Sequence, residues 1–211
     1  MSAPSSLWVL LTSTVTIAIV HALAPDHWVP FVSIGRAQKW SPAKLFWVTL
    51  LAGMGHVGSS ILIGVAGLLL GFSLVSLEGI ESQRGEVAGL LLIGFGLAYA
   101  VWGFKRARHR HHHEVDPQKS LTLWTLFAIF VLGPCEPLIP LMFAGAALDW
   151  SAVITVTTVF GLITLAMMTG QTLLAYFGTG LTRMPSLEHY GHAIAGLVIA
   201  FTGGMVMFFG I

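Results

Sequence analysis

The chain has 211 residues, of which 55% are hydrophobic and only 9% charged. A water-soluble domain carries about 25% charged residues, so a single soluble core is excluded and lipid must solvate much of the surface. The formal net charge of +1 gives no field for a nucleic-acid partner, and the single cysteine, Cys135, excludes an internal disulfide.

Met1 to Ser6 lack the basic stretch of a cleavable signal peptide, so the apolar run from Leu7 is expected to be retained. A helix crosses the hydrocarbon with about 20 mainly apolar residues. Six segments meet that length: Leu7 toward Gly35, Leu45–Gly71, Glu86–Phe104, Leu121–Leu148, Ala152–Gly178 and Gly191–Gly210. The chain is therefore predicted to be an all-α polytopic membrane protein, rich in glycine (24 residues) as closely packed membrane helices are. Arg36, Lys39 and Lys44 follow the first span, Lys105, Arg106, Arg108, Arg110 and Lys119 the third, and Arg183 the fifth. Only Arg84 falls on the other side, among Glu78, Glu81 and Glu86. Basic loops stay in the cytoplasm, so both termini are predicted outside, in a multi-pass protein of the plasma (cytoplasmic) membrane.

The two halves look alike. Ala88-Gly89-Leu90, Gly96 and Gly103 match Ala195-Gly196-Leu197, Gly203 and Gly210 at a constant offset. Aligning Asp26 with Glu136 also aligns Pro30 with Pro140. A three-span unit has odd parity, so two copies lie in opposite orientations. The expected organisation is one repeat at 1–104, a His-rich basic cytoplasmic loop at 105–119 and a second, inverted repeat at 120–211, with a binding site near the midplane where they meet.

The first and fourth spans are too long for one straight crossing and hold prolines that a regular helix cannot absorb. Breaks are expected around residues 24–27 and 133–137, with carbonyls freed by Pro25, Pro30 and Pro140 available to a cation. Irregular backbone at membrane depth is tolerated where it is buried in protein or lines a wet cavity. Asp26 and Glu136 are the acids read as lying well inside apolar runs, and such acids mark ion or proton pathways. His21 and His27 sit on the first span and His56 on the second, within Gly53-Met54-Gly55-His56-Val57-Gly58-Ser59-Ser60, whose small residues are expected to let that helix approach the first. Imidazoles are the commonest nitrogen ligands of transition metals, although a lone membrane histidine is more often a packing residue. The predicted metal set is His21, Asp26, His27, His56, Cys135 and Glu136. For Cys135, a soft ligand and a small buried hydrophobe are both open readings. Gln171 either completes the cavity or bonds across helices, and Met54, Met167 and Met168 are read as packing.

Between the third and fourth spans, His109, His111, His112 and His113 stand with Glu114 and Asp116. A short His-rich tract collects metal ions, whereas its arginines also suit anionic head groups. A cytoplasmic collector fits export better than uptake.

The stretch His21-Ala22-Leu23-Ala24-Pro25-Asp26-His27 resembles the His-Ala-x-Asp-Ala-Asp-His signature of the nickel/cobalt transporter (NicO) family, and Gly55-His56 resembles its next histidine motif. Six spans with a His-bearing central loop are similar to the family's efflux branch. The resemblance implies metal binding by His21, Asp26, His27 and His56. Ala24 stands where the uptake signature has its first Asp, and Pro25 replaces an Ala, which leaves the choice of metal open. Gly133-Pro134-Cys135 also resembles the turn of the DsbD/CcdA thiol–disulfide conduits, which share a wider superfamily with LysE-type exporters. Those conduits pair two cysteines, and here the counterpart of Cys135 is Pro25.

The expected function is secondary transport of a divalent transition-metal ion such as nickel, cobalt or zinc, with efflux favoured. The alternative is export of a small anion or other small solute, as in the wider superfamily. No His-Glu-x-x-His or nucleotide motif occurs, so neither an enzyme nor a prosthetic group is expected. The expected partners are the lipid bilayer, the metal ion and a further copy of the chain in a homo-oligomer.

Overall fold

The computed structural model describes residues 3–108, 118–181 and 190–209. The α-helices among the described residues are α1 (Ala3–Ala22), α2 (Val29–Ala37), α3 (Pro42–Leu70), α4 (Leu74–Arg108), α5 (Gln118–Leu132), α6 (Leu138–Ala146), α7 (Trp150–Leu181) and α8 (Gly191–Phe209), with no strand among those residues. A single 3₁₀ turn, Pro25–His27, joins α1 to α2. The histidines of the central tract, His109 to His113, lie outside the described residues.

Four helices, α3, α4, α7 and α8, are long and apolar enough to cross a bilayer. A fifth crossing is available if α1 and α2, bent by 71° at their break, count as one span. The outward faces are apolar: Leu62, Val75, Leu174 and Phe208 are each more than 70% exposed. So many large apolar side chains on the outside of long apolar helices fit a lipid surround. The protein is thus an all-α, multi-pass membrane protein.

Local chemistry sets the helix ends. At the start of α3, Pro42 occupies the first turn and Ser41 Oγ accepts from the Lys44 amide at 3.2 Å. At its end Gly71 adopts φ 73°, and the Phe72 amide closes on the Gly67 carbonyl at 2.9 Å. Before α7, Asp149 Oδ1 accepts from Ser151 Oγ and the Ala152 amide, bonds that hold its carboxyl below the usual aspartate range.

The breaks fall where the prolines require, at residues 23–28 and 133–137. The third span departs from expectation: α4 begins at Leu74, twelve residues before Glu86, and carries Glu78, Glu81 and Arg84 as helix rather than loop. Its 35 residues reach about 52 Å, well beyond a hydrocarbon core of about 30 Å. The charges that suggested a loop tolerate burial because Glu81 and Arg84, one turn apart, pair with each other.

α4 and α8 run antiparallel with backbones touching. A Cβ on Gly96 would stand 2.4 Å from the Ala200 amide nitrogen, one on Gly103 2.4 Å from that of Ala193, and one on Gly203 2.8 Å from the Gly89 carbonyl. The small residues around His56 serve partners other than the one expected. Gly53 faces Leu165 and Met168 of α7, and Gly55 faces Val131 and Phe127 of α5, so these glycines admit α7 and α5 rather than α1. Elsewhere α1 packs on α7, and α5 and α6 pack on α3. Two buried apolar clusters result. One holds Phe31, Trp40, Phe130 and Met168, and the other Ala18, Cys135, Met142 and Phe160.

Candidate metal centre

Unwinding after Ala22 turns the chain so that His21 and His27, six residues apart, face each other. Their Nε2 atoms stand 3.1 Å apart, close enough to share a proton. His56 approaches from α3, with ring centroids 5.0 Å from His27 and 6.0 Å from His21. Cys135, from the second break, brings Sγ to 3.4 Å from His21 Nε2. Ligand atoms of His21, His56 and Cys135 all lie within 4.8 Å of one another, which makes a potential metal-coordinating site. It lies between the two apolar clusters: His21 contacts Phe160 of one, and His56 contacts Phe130 of the other.

The spacing suits a metal. Nitrogen and sulfur donors about 2.0–2.3 Å from a tetrahedral ion stand about 3.3–3.6 Å from one another. The His21–His27 and His21–Cys135 separations of 3.1 and 3.4 Å are near that geometry, and the donors of His21, His56 and Cys135 spread to no more than 4.8 Å. His56 supplies an independent sign. It is 3% exposed, and neither ring nitrogen has a hydrogen-bond partner among the described residues. A buried polar atom left unsatisfied costs about 1–3 kcal/mol. Buried threonine hydroxyls at residues 49, 157 and 164 are also unpartnered, but His56 alone of these lines the cavity beside the cluster.

Asp26 touches His27, whose Nδ1–H donates to its Oδ1 at 2.8 Å. The carboxylate fixes the ring's orientation and leaves Nε2 as the nitrogen available to a ligand, the arrangement by which carboxylates orient metal-binding imidazoles. Glu136 is exposed on the wall of the same cavity, outside the His21–His56–Cys135 cluster. That cavity, of about 450 Å³, is lined by His21, Asp26, His27, His56 and Glu136 together with parts of α4, α5 and α8.

Of the carbonyls expected to be free for a cation, that of His21, opposite Pro25, has a protein partner, and so do other carbonyls at the two breaks. The Ala24 amide donates to the His21 carbonyl at 3.1 Å, and Gln171 Nε2 donates to the Ala22 carbonyl at 3.2 Å. Gln171 thus bonds across helices at the break. At the second break Arg84 Nη2 donates to the carbonyls of Val131 and Gly133 at 3.0 and 3.2 Å. Of the expected methionines, Met168 is buried in the core and Met54 faces outward.

Residues to which sequence reasoning gave no part in the site, Glu81 and Arg84 of the expected loop and Ser59 and Ser60 beside His56, bond to one another and to the turn that carries Cys135. Glu81, 1% exposed, pairs with Arg84 and accepts from Ser60 Oγ at 2.9 Å and from the Cys135 amide at 3.1 Å. Ser60 Oγ also accepts from that amide at 3.0 Å, and Ser59 Oγ accepts from Arg84 Nη2 at 2.6 Å. Glu81 is therefore a third acid inside the apolar region, beside Asp26 and Glu136. Four groups from α3 and α4 anchor the Gly133–Cys135 turn and aim the thiol at the imidazoles. An acid and a base three residues apart on one helical turn was the available signal.

Compared with protein-family profiles, curated proteins and solved structures, the chain matches none.

Proposed function

We propose that the protein is a secondary transporter of a divalent transition-metal ion, with His21, His27, His56 and Cys135 as the donors and Asp26 orienting His27. The observation that carries this reading is the convergence of three imidazoles and the only thiol at metal-binding spacing in a membrane protein's interior. Imidazole and thiolate favour zinc, cobalt, nickel or copper over magnesium and calcium. The NicO-like motif supplies His21, Asp26, His27 and His56 but not Cys135, and efflux is the preferred direction because of the His109–His113 tract.

We further read the chain as six spans in two inverted repeats, both termini outside, with α1–α2 matched to α5–α6, α3 to α7 and α4 to α8. The antiparallel α4–α8 pairing supports that match, as does the reciprocal packing of α1 on α7 and α5 on α3. Alternating access then comes from rocking one repeat against the other about a midplane site.

Metal analysis of the purified protein tests the reading. The unaltered chain should retain an equimolar amount of cobalt(II) or nickel(II), His21→Ala and His56→Ala should lose it, and Asp26→Asn should weaken it about 10–100-fold. In cells, His27→Ala should abolish the difference in metal accumulation that the unaltered protein produces. Equal metal content in the unaltered protein and both alanine variants would sink the assignment and leave a small anion as the cargo.

A further inference from the structure

The cavity that holds the imidazoles continues along α4 and the α5–α6 break to Ser82, Glu86 and Glu136, all three exposed. Glu136 lies against α4: its Oε1 is 3.4 Å from where a Cβ on Gly85 would stand, and Glu86, the next residue on that helix, lines the same cavity. Among the described residues neither Glu86 nor Glu136 is ion-paired. At the buried end of the same cavity stands His56, 3% exposed, with both ring nitrogens unpartnered. Unpaired carboxylates at the mouth and unsatisfied imidazole at the base define a polar route through apolar walls.

The route has a side. On α4, Glu86 and Lys105 are about 28 Å apart along the axis. The mouth therefore lies toward the face opposite the basic cluster Lys105–Arg108. Resting on the metal-transport reading, we propose that Glu86 and Glu136 form a cation-exchange vestibule. A divalent ion trades waters for their carboxylate oxygens there as it passes between that face and the imidazole–thiol cluster. They conduct the ion and do not hold it at the deep site. A cleft lined by one sign of charge concentrates its counter-ion and speeds association, an effect that salt suppresses.

The experiment is stopped-flow binding of cobalt(II) to the full-length protein in lipid nanodiscs, followed by the absorption of the bound ion. Glu86→Gln/Glu136→Gln should slow association about tenfold at low salt. The difference should shrink as salt rises, and the spectrum of bound cobalt should stay unchanged. Glu78→Gln, an exposed acid outside the cavity, should behave as the unaltered protein. An unchanged rate in the double variant overturns the vestibule and leaves the metal site standing. So does an altered cobalt spectrum, because the carboxylates would then be ligands. Failure of the unaltered protein to take up cobalt overturns the metal site and the vestibule together.

Discussion

Arg84 is a cation built into the chain at the second break. Its guanidinium neutralises the buried Glu81 and takes up the carbonyls of Val131 and Gly133 that the second break exposes. Removing it leaves the buried Glu81 carboxylate without its counter-charge, held only by Ser60 and the Cys135 amide, and takes a donor from two carbonyls. Breaking such a pair from one side costs about 3–5 kcal/mol, so Arg84→Met should lower the thermal unfolding midpoint sharply. Glu81→Gln/Arg84→Met should recover part of the loss, because no uncompensated charge remains. The histidines of the candidate metal cluster could be singled out in the sequence, since three of them beside an acid and a proline inside apolar runs are harder to explain as packing than one would be. The roles of Asp26 and Arg84 could not. Whether a carboxylate touches the ion or the imidazole depends on a few ångströms that spacing does not encode. Glu78, Glu81, Arg84 and Glu86 within nine residues also look like a loop until two of them are seen to cancel.

Among the elements, the two broken helices and the glycine-bearing pair carry the architecture. The breaks were readable because proline chemistry is local: Pro25, Pro30, Pro134, Pro137 and Pro140 act through their own and nearby residues. Partner choice was not, because Gly53 and Gly55 announce a close approach without saying by whom; the structure assigns them to α7 and α5. The sevenfold spacing of Gly89, Gly96 and Gly103, repeated in Gly196 and Gly203, returns to one helix face every two turns and becomes the α4–α8 seam. A Cβ at Gly196 would lie 2.3 Å from the Ala100 nitrogen and 2.5 Å from the Gly96 carbonyl oxygen, and backbone cannot give way as a side chain can. Gly196→Ala should therefore destabilise the protein by about 1–3 kcal/mol. Gly94→Ala, which meets open space, should be neutral or stabilising by up to about 1 kcal/mol, the helix-propensity gain. Unfolding midpoints in one detergent compare the pair.

Across the whole molecule the cavity and its acids mark one face, and aromatic and amide hydrogen bonds tie the other. Near the basic end of α4, Gln38 Nε2 donates to the Tyr99 hydroxyl at 3.4 Å, and that hydroxyl stands 2.7 Å from His192 Nδ1 on α8. Close by, the Tyr176 hydroxyl donates to the Trp40 carbonyl at 2.6 Å. These bonds tie the end of α2 to α4, α7 and α8. Tyr99→Phe removes the oxygen that joins three elements, and an ordinary hydrogen bond contributes about 1 kcal/mol. The variant should label about fivefold faster at Ile34→Cys with an impermeant maleimide applied from the basic side. Ile34 is fully buried, so equal labelling rates would argue that this face does not open.

The seam of α4 and α8 has a mechanical consequence. Side chains that interlock resist sliding, since each knob must leave its hole before the surfaces can shift. Where main chain lies on main chain, as at Gly96 and Gly103, such teeth are fewer, with Met207 and Leu92 interlocking at the other end of the seam. The seam resists being pulled apart, because each helix lies in the other's groove, yet it offers little friction to a twist. The line of glycines is shaped like an axle, and a bulky side chain planted on it would act as grit in the bearing.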